Sequence, residues 1–243
     1  MKKLIIGLAV AAFAAGAAQA QDKTIRMGTE GAYEPYNFVN DKGEIDGFER
    51  ELGDKLCAIA GYKCEWVKND WDTIIPNLLT GNYDTIMAGM SITDERKEKI
   101  DFTQPYFPPD PSAYVALAGA GDDVTKANVA AQVNTIQAGY VTSSGATLVE
   151  FAGADDTVAA VRNGEADAVL ADRAYLEKIV AESNGELVFV GESVMIGGGI
   201  GMGVRKSDTE MKDKFNAAID QVKANGELNT LIEKWFEGMK GPF

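Results

Sequence analysis

Two stretches of this chain share one pattern. "IIPNLLTGNYDTIMAG" and "VAAVRNGEADAVLAD" each run from a helical segment through a Thr-Gly or Asn-Gly stop to an aspartate, Asp84 or Asp167, and then into an apolar strand. Helix, turn and buried strand in that order is part of a β-α-β unit, which needs a parallel sheet with covering helices. Between the two stretches lies "QPYFPPDPSAYVALAG", with Pro105, Pro108, Pro109 and Pro111, four of the chain's seven prolines. Proline fixes φ and donates no N–H, so this segment resists both helix and ladder. Two like α/β units on either side of such a crossing constrain the chain to two similar lobes, although the likeness is not a strict repeat.

The flanking segments agree. A strand is expected over Thr24 to Gly28, and a hairpin-like turn at Asp41-Lys42-Gly43. A helix is expected from about Gly47 to Ala60, with Phe48, Leu52, Leu56 and Ile59 at helical spacing and Gly61 as its stop. Strand "KCEWVKN", a helix over about Trp71 to Thr80 and strand Thr85 to Ala88 complete a β-α-β-α-β series. After the prolines a strand is expected at Ala113 to Leu117 and another at Val129 to Val133. A second alternating series then runs through "LVFVGES". "IGGGIGMGVRK" reads as a Gly-rich strand passing back close to another domain. It is not a phosphate loop: it lacks the Gly-Lys-Ser/Thr ending and leads into no helix. The end reads as two amphipathic helices split at Asn225-Gly226.

Residues 1–20 stand apart from this fold. Lys2 and Lys3, the apolar run Leu4 to Ala15 and Ala18-Gln19-Ala20 form a charged, an apolar and a small-x-small region. That is the pattern of a signal peptide cut near Ala20, and the run is too short and too rich in Ala and Gly for a membrane span. Export to a bacterial periplasm is expected. A retained N-terminal anchor is the alternative. With 37 Asp and Glu against 23 Lys and Arg, the net charge of −14 argues against nucleic acid or an anionic membrane as partner. Cys57 and Cys64 are the only cysteines and there is no histidine. In an oxidising compartment the pair reads as a local disulfide; a metal site is the other reading, weakened by the missing histidine and second Cys pair. Without histidine, Ser-His-Asp and Cys-His catalysis are excluded.

Ligands of α/β sheets bind beyond the carboxyl ends of strands. The segments there hold Thr29, Glu30 and Tyr33; Gly89, Met90, Ser91, Thr93 and Arg96; Asn134, Thr135 and Gln137; and Asp172. Arg96 stands in the first turn of a helix starting near Thr93, where a guanidinium offers two parallel donors to a carboxylate. Spacing alone favours a surface arginine beside Asp94 and Glu98, with Lys97, Glu98 and Lys99 as solvated surface. Asp172 is placed either to hold an ammonium group or to cap "RAYLEKIVAES". Tyr33, Tyr36 and Trp71 either flank a ligand or pack in the core, and Glu30 either meets a polar or cationic group or faces solvent. Asp155 and Asp156 read as helix caps.

Together "IRMGTEGAYEPYNF", "GEIDGFERELGDKLC", "WDTIIPNLLTGNYDTIMAGMSITDERKEKIDFTQPYF", "NGEADAVLAD" and "ANGELNTLIEKWF" resemble the periplasmic amino-acid-binding proteins of ABC importers, family 3 of the solute-binding proteins. That group contains the lysine/arginine/ornithine-, histidine- and glutamine-binding proteins. The resemblance covers the chain after its leader, and Cys57 and Cys64 match the disulfide position of the basic-residue members. It implies the type II two-lobed fold. Residues 21–110 and 202–243 would form one lobe and 111–201 the other, joined by two crossing hinge strands. Arg96 would hold the ligand α-carboxylate with Ser91 and the Thr135 amide, and Asp172 the α-ammonium with the Gly89 carbonyl. Tyr33 and Trp71 would flank the side chain, Glu30 would stand at its far end, and Gln137 belongs to the same set. The family's Gly-(Ser/Thr) element reads here as Asn134-Thr135, and Ala88-Gly89 is closer to the glutamine-type pattern than to the basic-residue one.

The function implied is a receptor for a polar or basic L-amino acid that delivers it to an ABC permease. A monomer without cofactor or metal is expected. Two alternatives stand beside it: a periplasmic dehydratase on the same fold, whose general acid or base would have to be Glu30, and a ligand-loaded partner of a membrane sensor.

Overall fold

The computed structural model describes residues 23–121, 123 and 127–243. The expected signal peptide and its cleavage site lie outside the described residues.

The chain opens with strand β1 (Lys23–Thr29), and the short strands β2 (Ala32–Tyr33), β3 (Asn37–Val39) and β4 (Ile45–Asp46) form a small antiparallel sheet. Helix α1 (Phe48–Ala60) follows and ends at Gly61, whose left-handed φ of 73° lets its N–H reach the Ala58 and Cys57 carbonyls. Phe48, Leu52 and Leu56 are fully buried along one face of α1, each burial stabilising by roughly 2 kcal/mol. Strand β5 (Tyr62–Lys68) is tied back to α1 by the Cys57–Cys64 disulfide. The segment read as one helix from Trp71 splits into a 3₁₀ turn (Trp71–Thr73) and α2 (Ile74–Leu79). Strand β6 (Thr85–Ile86), α3 (Asp94–Lys99) and β7 (Asp101–Phe102) complete this half.

The second half begins with β8 (Ser112–Leu117) and β9 (Asn128–Gln132). Next come α4 (Ile136–Ser144), β10 (Thr147–Phe151), α5 (Ala154–Asn163) and β11 (Ala168–Asp172). Helix α6 (Arg173–Glu182) and β12 (Leu187–Val194) close it, and the chain returns through β13 (Gly203–Val204) to α7 (Thr209–Ala224) and α8 (Glu227–Trp235).

Two five-stranded sheets result, in the orders β5-β1-β6-β13-β7 and β10-β9-β11-β8-β12. In each, three neighbouring strands are parallel and the fourth is antiparallel to them. That fourth strand, β13 or β8, is the first to arrive from the other half. The shared aspartates explain the shared sequence pattern. Asp84 accepts from the Arg26 N–H (3.0 Å) while its own N–H donates to the Arg26 carbonyl (2.8 Å). Asp167 does the same with Asn128, at 2.8 Å in both directions. Each aspartate thus locks the strand that follows it, β6 or β11, to its parallel neighbour, β1 or β9. The fold is α/β and two-lobed, with separate apolar cores around α1, α7 and α8 and around β8, β11 and α5.

The Gly-rich return differs from the strand expected for it. Only Gly203 and Val204 form a strand, and Ile200 makes single bridges to Ser91 and Phe107. Its partner, the proline-rich crossing, has few N–H groups to give a ladder. The glycines serve close approach instead: a Cβ on Gly198 would lie 2.7 Å from the Ile92 carbonyl oxygen, and one on Gly199 would lie 2.9 Å from that of Phe107. The two crossings hold each other through Ile200 N–H to the Phe107 carbonyl (3.0 Å) and Tyr106 N–H to the Ile200 carbonyl (2.9 Å).

Candidate functional site

The carboxyl ends of both sheets face one another across a small, narrow cavity. It is lined by Glu30, Tyr33, Trp71, Gly89, Ser91, Arg96, Thr135, Gln137 and Asp172, the nine residues to which the resemblance assigns ligand contacts, whereas Met90, Thr93 and Asn134 are not in this lining. Ala88, Gln132 and Ile136 complete the wall. Tyr36 lies in the core instead, fully buried, and Thr29 is buried outside the lining.

Arg96 is buried while Lys97, Glu98 and Lys99 around it are exposed. Thr93 caps α3 by accepting the Arg96 N–H (3.2 Å), which fixes where the side chain starts. Its Nη1 donates to the Ser91 carbonyl (2.8 Å) and its Nη2 to the Asn134 carbonyl (3.1 Å), so the guanidinium spans both halves. It also lies over the Trp71 ring at 5.3 Å. Burial lowers its pKa to about 10 against the pull of Asp172 and Glu95, so it remains cationic at neutral pH. The Trp71 indole N–H is buried without a partner among the described residues.

Asp172 stands at the end of β11 and caps nothing with its side chain. Its carboxylate accepts from Tyr33 Oη (2.9 Å) and Gln137 Nε2 (2.9 Å). Gln137 Nε2 also reaches Ser112 Oγ (2.9 Å). Burial raises the Asp172 carboxyl to about 7, aided by Asp110 and opposed by Tyr33, Arg96 and Gln137. Asp172 and Arg96 form no ion pair with each other.

Glu30 does not face solvent: it is buried, and Gln132 Nε2 donates to its Oε1 at 2.6 Å from the opposite half. Burial raises Glu30 to about 7 against the Gln132 bond, and Asp155 and Asp70 add to the rise. The cavity therefore has one cationic group and two acids that give up their protons reluctantly. Asp155 is not the cap expected of it. Gly153 is the N-cap residue of α5 with no side-chain bond there, and Asp155 accepts from Tyr175 Oη (2.8 Å). Tyr175 stacks on Tyr33 with centroids 4.2 Å apart and planes 7° from parallel.

Asn134 has φ 57°, the left-handed region that asparagine tolerates better than most side chains, so the absent glycine is replaced by the next most suitable residue. Sequence reasoning missed Gln132, the one polar side chain ending the otherwise apolar run "VAAQ", and Glu49, a charge on the apolar stripe of α1 three residues before Leu52 and seven before Leu56. Burial pushes the Glu49 carboxyl up, while bonds from Tyr106, Gly89 and Asn37 oppose the shift. Among the described residues, no group of three or more His, Cys, Asp or Glu could hold a metal ion, and no helix is long and apolar enough to cross a membrane.

The chain belongs to the bacterial extracellular solute-binding proteins, family 3, whose model matches residues 25–238. It is 33% identical over 232 residues to the L-arginine-binding protein of Pseudomonas aeruginosa, covering 89% of each chain. It is 31% identical to the lysine/arginine/ornithine-binding periplasmic protein of Escherichia coli, covering 98% of each. Among solved structures it is similar to a periplasmic His/Glu/Gln/Arg/opine family-binding protein from Silicibacter pomeroyi in complex with lysine. That match has 66% identity and a TM-score of 0.87, and covers 90% of this chain and 100% of the other.

Proposed function

We propose that this family 3 solute-binding protein is a receptor that captures a basic L-amino acid, lysine or arginine, between its two lobes. The observation that carries the reading is the meeting of Arg96 and Glu30, both buried, with the part-buried Asp172 in one cavity built from both sheets. A free amino acid is a zwitterion. Its carboxylate matches the Arg96 fork, and its ammonium matches the Asp172 carboxylate, which accepts two neutral donors but has no ion-pair partner. Leaving these two charges buried without a counter-charge is unfavourable, and a ligand that supplies both relieves it. Tyr33 and Trp71 flank the aliphatic stem, and Ser91, Thr135, Gly89 and Gln137 complete the backbone and polar contacts. The ligand's far end meets Glu30, with Asp70 and Asp155 adding negative potential. That acidity selects a cation over the neutral amide of glutamine.

In this reading residues 1–20 are a signal peptide cut near Ala20, and the monomeric mature protein works in the periplasm and hands its ligand to an ABC permease. Residues 21–110 with 202–243 form one lobe and 111–201 the other, with hinges at 103–111 and 195–202. The protein performs no chemical step.

A calorimetric and thermal-shift panel of L-lysine, L-arginine, L-histidine, L-glutamine and L-glutamate tests it. Lysine or arginine at 100 Kd should stabilise the fold by roughly 2.7 kcal/mol, and Arg96→Ala should abolish the shift. No response to any amino acid, or unchanged affinity in Arg96→Ala, overturns the reading. Tighter binding of glutamine than of lysine removes the selectivity assigned to Glu30, and turnover of a prephenate-like acid favours the dehydratase.

A further inference from the structure

Beneath the cavity, three donors converge on one carboxylate. Glu49, in the first turn of α1, is fully buried. Its Oε1 accepts the Gly89 N–H at 2.7 Å and the Tyr106 hydroxyl, and its Oε2 accepts Asn37 Nδ2 at 2.7 Å. Asn37 passes the link on, accepting the Gly31 N–H at 2.7 Å through Oδ1. Gly31 directly follows Glu30, and Gly89 lines the cavity two residues before Ser91. Tyr106 lies in the first crossing and is bonded to Ile200 of the second.

We propose that Glu49 is a positioning residue of the binding site: it fixes two of the ligand-facing loops of the first sheet, those after β1 and β6, and ties them to the crossing segments. The inference rests on the cavity being an amino-acid site. A trans peptide directs its C=O opposite to its N–H. Drawing the Gly89 N–H down to Glu49 therefore turns the Ala88 carbonyl up, on the side where Ala88 lines the cavity. Holding the Gly31 N–H through Asn37 orients the Glu30 peptide in the same way. The geometry demands a carboxylate. All three groups facing Glu49 are donors, and only an ionised acid accepts at both oxygens. A glutamine would set an NH₂ against Asn37 or Gly89. If Asn37 flipped to relieve that clash, its own NH₂ would face the Gly31 N–H.

The same logic supplies a rescue. In Asn37→Asp with Glu49→Gln, the new amide donates to the new carboxylate, which still accepts the Gly31 N–H, and the remaining amide oxygen still accepts from Gly89 and Tyr106. The number of bonds and the net charge are restored with the charge moved by one residue.

The test is calorimetric titration with L-lysine and L-arginine at a temperature where circular dichroism shows every variant folded. Glu49→Gln should raise Kd at least tenfold, and the double variant should return to within threefold of wild type. Amide exchange at Gly31 and Gly89 should accelerate in Glu49→Gln and be protected again in the double variant. A folded Glu49→Gln with a lower melting temperature but unchanged Kd overturns the proposal, because a merely structural role predicts that result. Should Glu49→Gln fail to fold, Asn37→Ala, which cuts only the Gly31 arm, must raise Kd severalfold, and an unchanged value is equally fatal. If wild type binds neither amino acid, the receptor reading fails. The exchange measurement then still decides whether Glu49 orders the two loops.

Discussion

Asp172 and Glu30 hold their charges at a cost that a ligand can repay. Burial is the main cause of both raised values, each about 7. A bound ammonium favours the ionised form of each acid, so below neutral pH capture must expel protons. Affinity for lysine should therefore fall at least tenfold between pH 7.5 and 5.5. Calorimetry near pH 6.5 in buffers of different ionisation heat should detect proton release. The unliganded protein should respond in the opposite sense. Between the ordinary carboxylate range and about pH 7 the folded state binds more protons than the unfolded one, so stability falls as pH rises, by up to about 1.4 kcal/mol per pH unit for each group. Denaturant unfolding at pH 5 and pH 7.5, with and without lysine, checks both signs. Equal affinity at the two pH values would show that these carboxyls do not meet the ligand's cations. Arg96 makes the complementary case: Arg96→Lys keeps a charge but loses the two-pronged donor, and should weaken binding by about 2 kcal/mol or more.

Two elements carry constraints of their own. The entry to α4 places Asn134 at φ 57° with its carbonyl on Arg96. Asn134→Gly should leave lysine affinity within about threefold, because glycine adopts this conformation without strain. Asn134→Val should cost about 1–3 kcal/mol in stability and weaken binding. Equal stability of the two variants would remove the conformational argument. The disulfide joins the end of α1 to β5, and neither cysteine lines the cavity. Replacing both by serine should lower unfolding free energy by about 2–3 kcal/mol while lysine affinity stays within twofold.

For the molecule as a whole, the two halves meet through unequal contacts. The Lys178–Glu34 pair, at 2.6 Å, joins side chains that are 48% and 37% exposed. An exposed pair of this kind contributes at most about 1 kcal/mol, so Lys178→Ala should change Kd by less than about fivefold. The Tyr33 and Tyr175 stack, the Tyr33 to Asp172 bond and the Arg96 to Asn134 bond are less exposed, being part-buried, and hold closure more strongly. A hinged receptor should lose radius of gyration when lysine binds, as read by small-angle scattering. No change, with tight binding confirmed calorimetrically, would mean that the halves do not open.

Local sequence determined most of the elements and the three parallel strands of each sheet. The 3.6 spacing of Phe48, Leu52 and Leu56, the Gly stop after α1 and the alternating helices and strands are properties of neighbouring residues, and the chain adopts them. The repeated aspartates, Asp84 and Asp167, signalled two like units before their shared lock was visible. The nine residues that line the cavity were legible as a group because α/β sheets gather ligand groups at strand ends and because a family pattern ordered them. Tertiary structure decided the rest, since those properties depend on residues far apart in sequence. Spacing left Arg96 open as surface or site; only packing over the Trp71 ring and against Asn134 buries it. Glu30 and Asp172 look like ordinary acids until burial from both halves raises them. Glu49 reads as one more helix charge, and its meaning appears only where Asn37, Gly89 and Tyr106 converge on it. The Gly-rich return looked like a strand, but a ladder needs a partner with N–H groups, and the prolines of the other crossing withhold them.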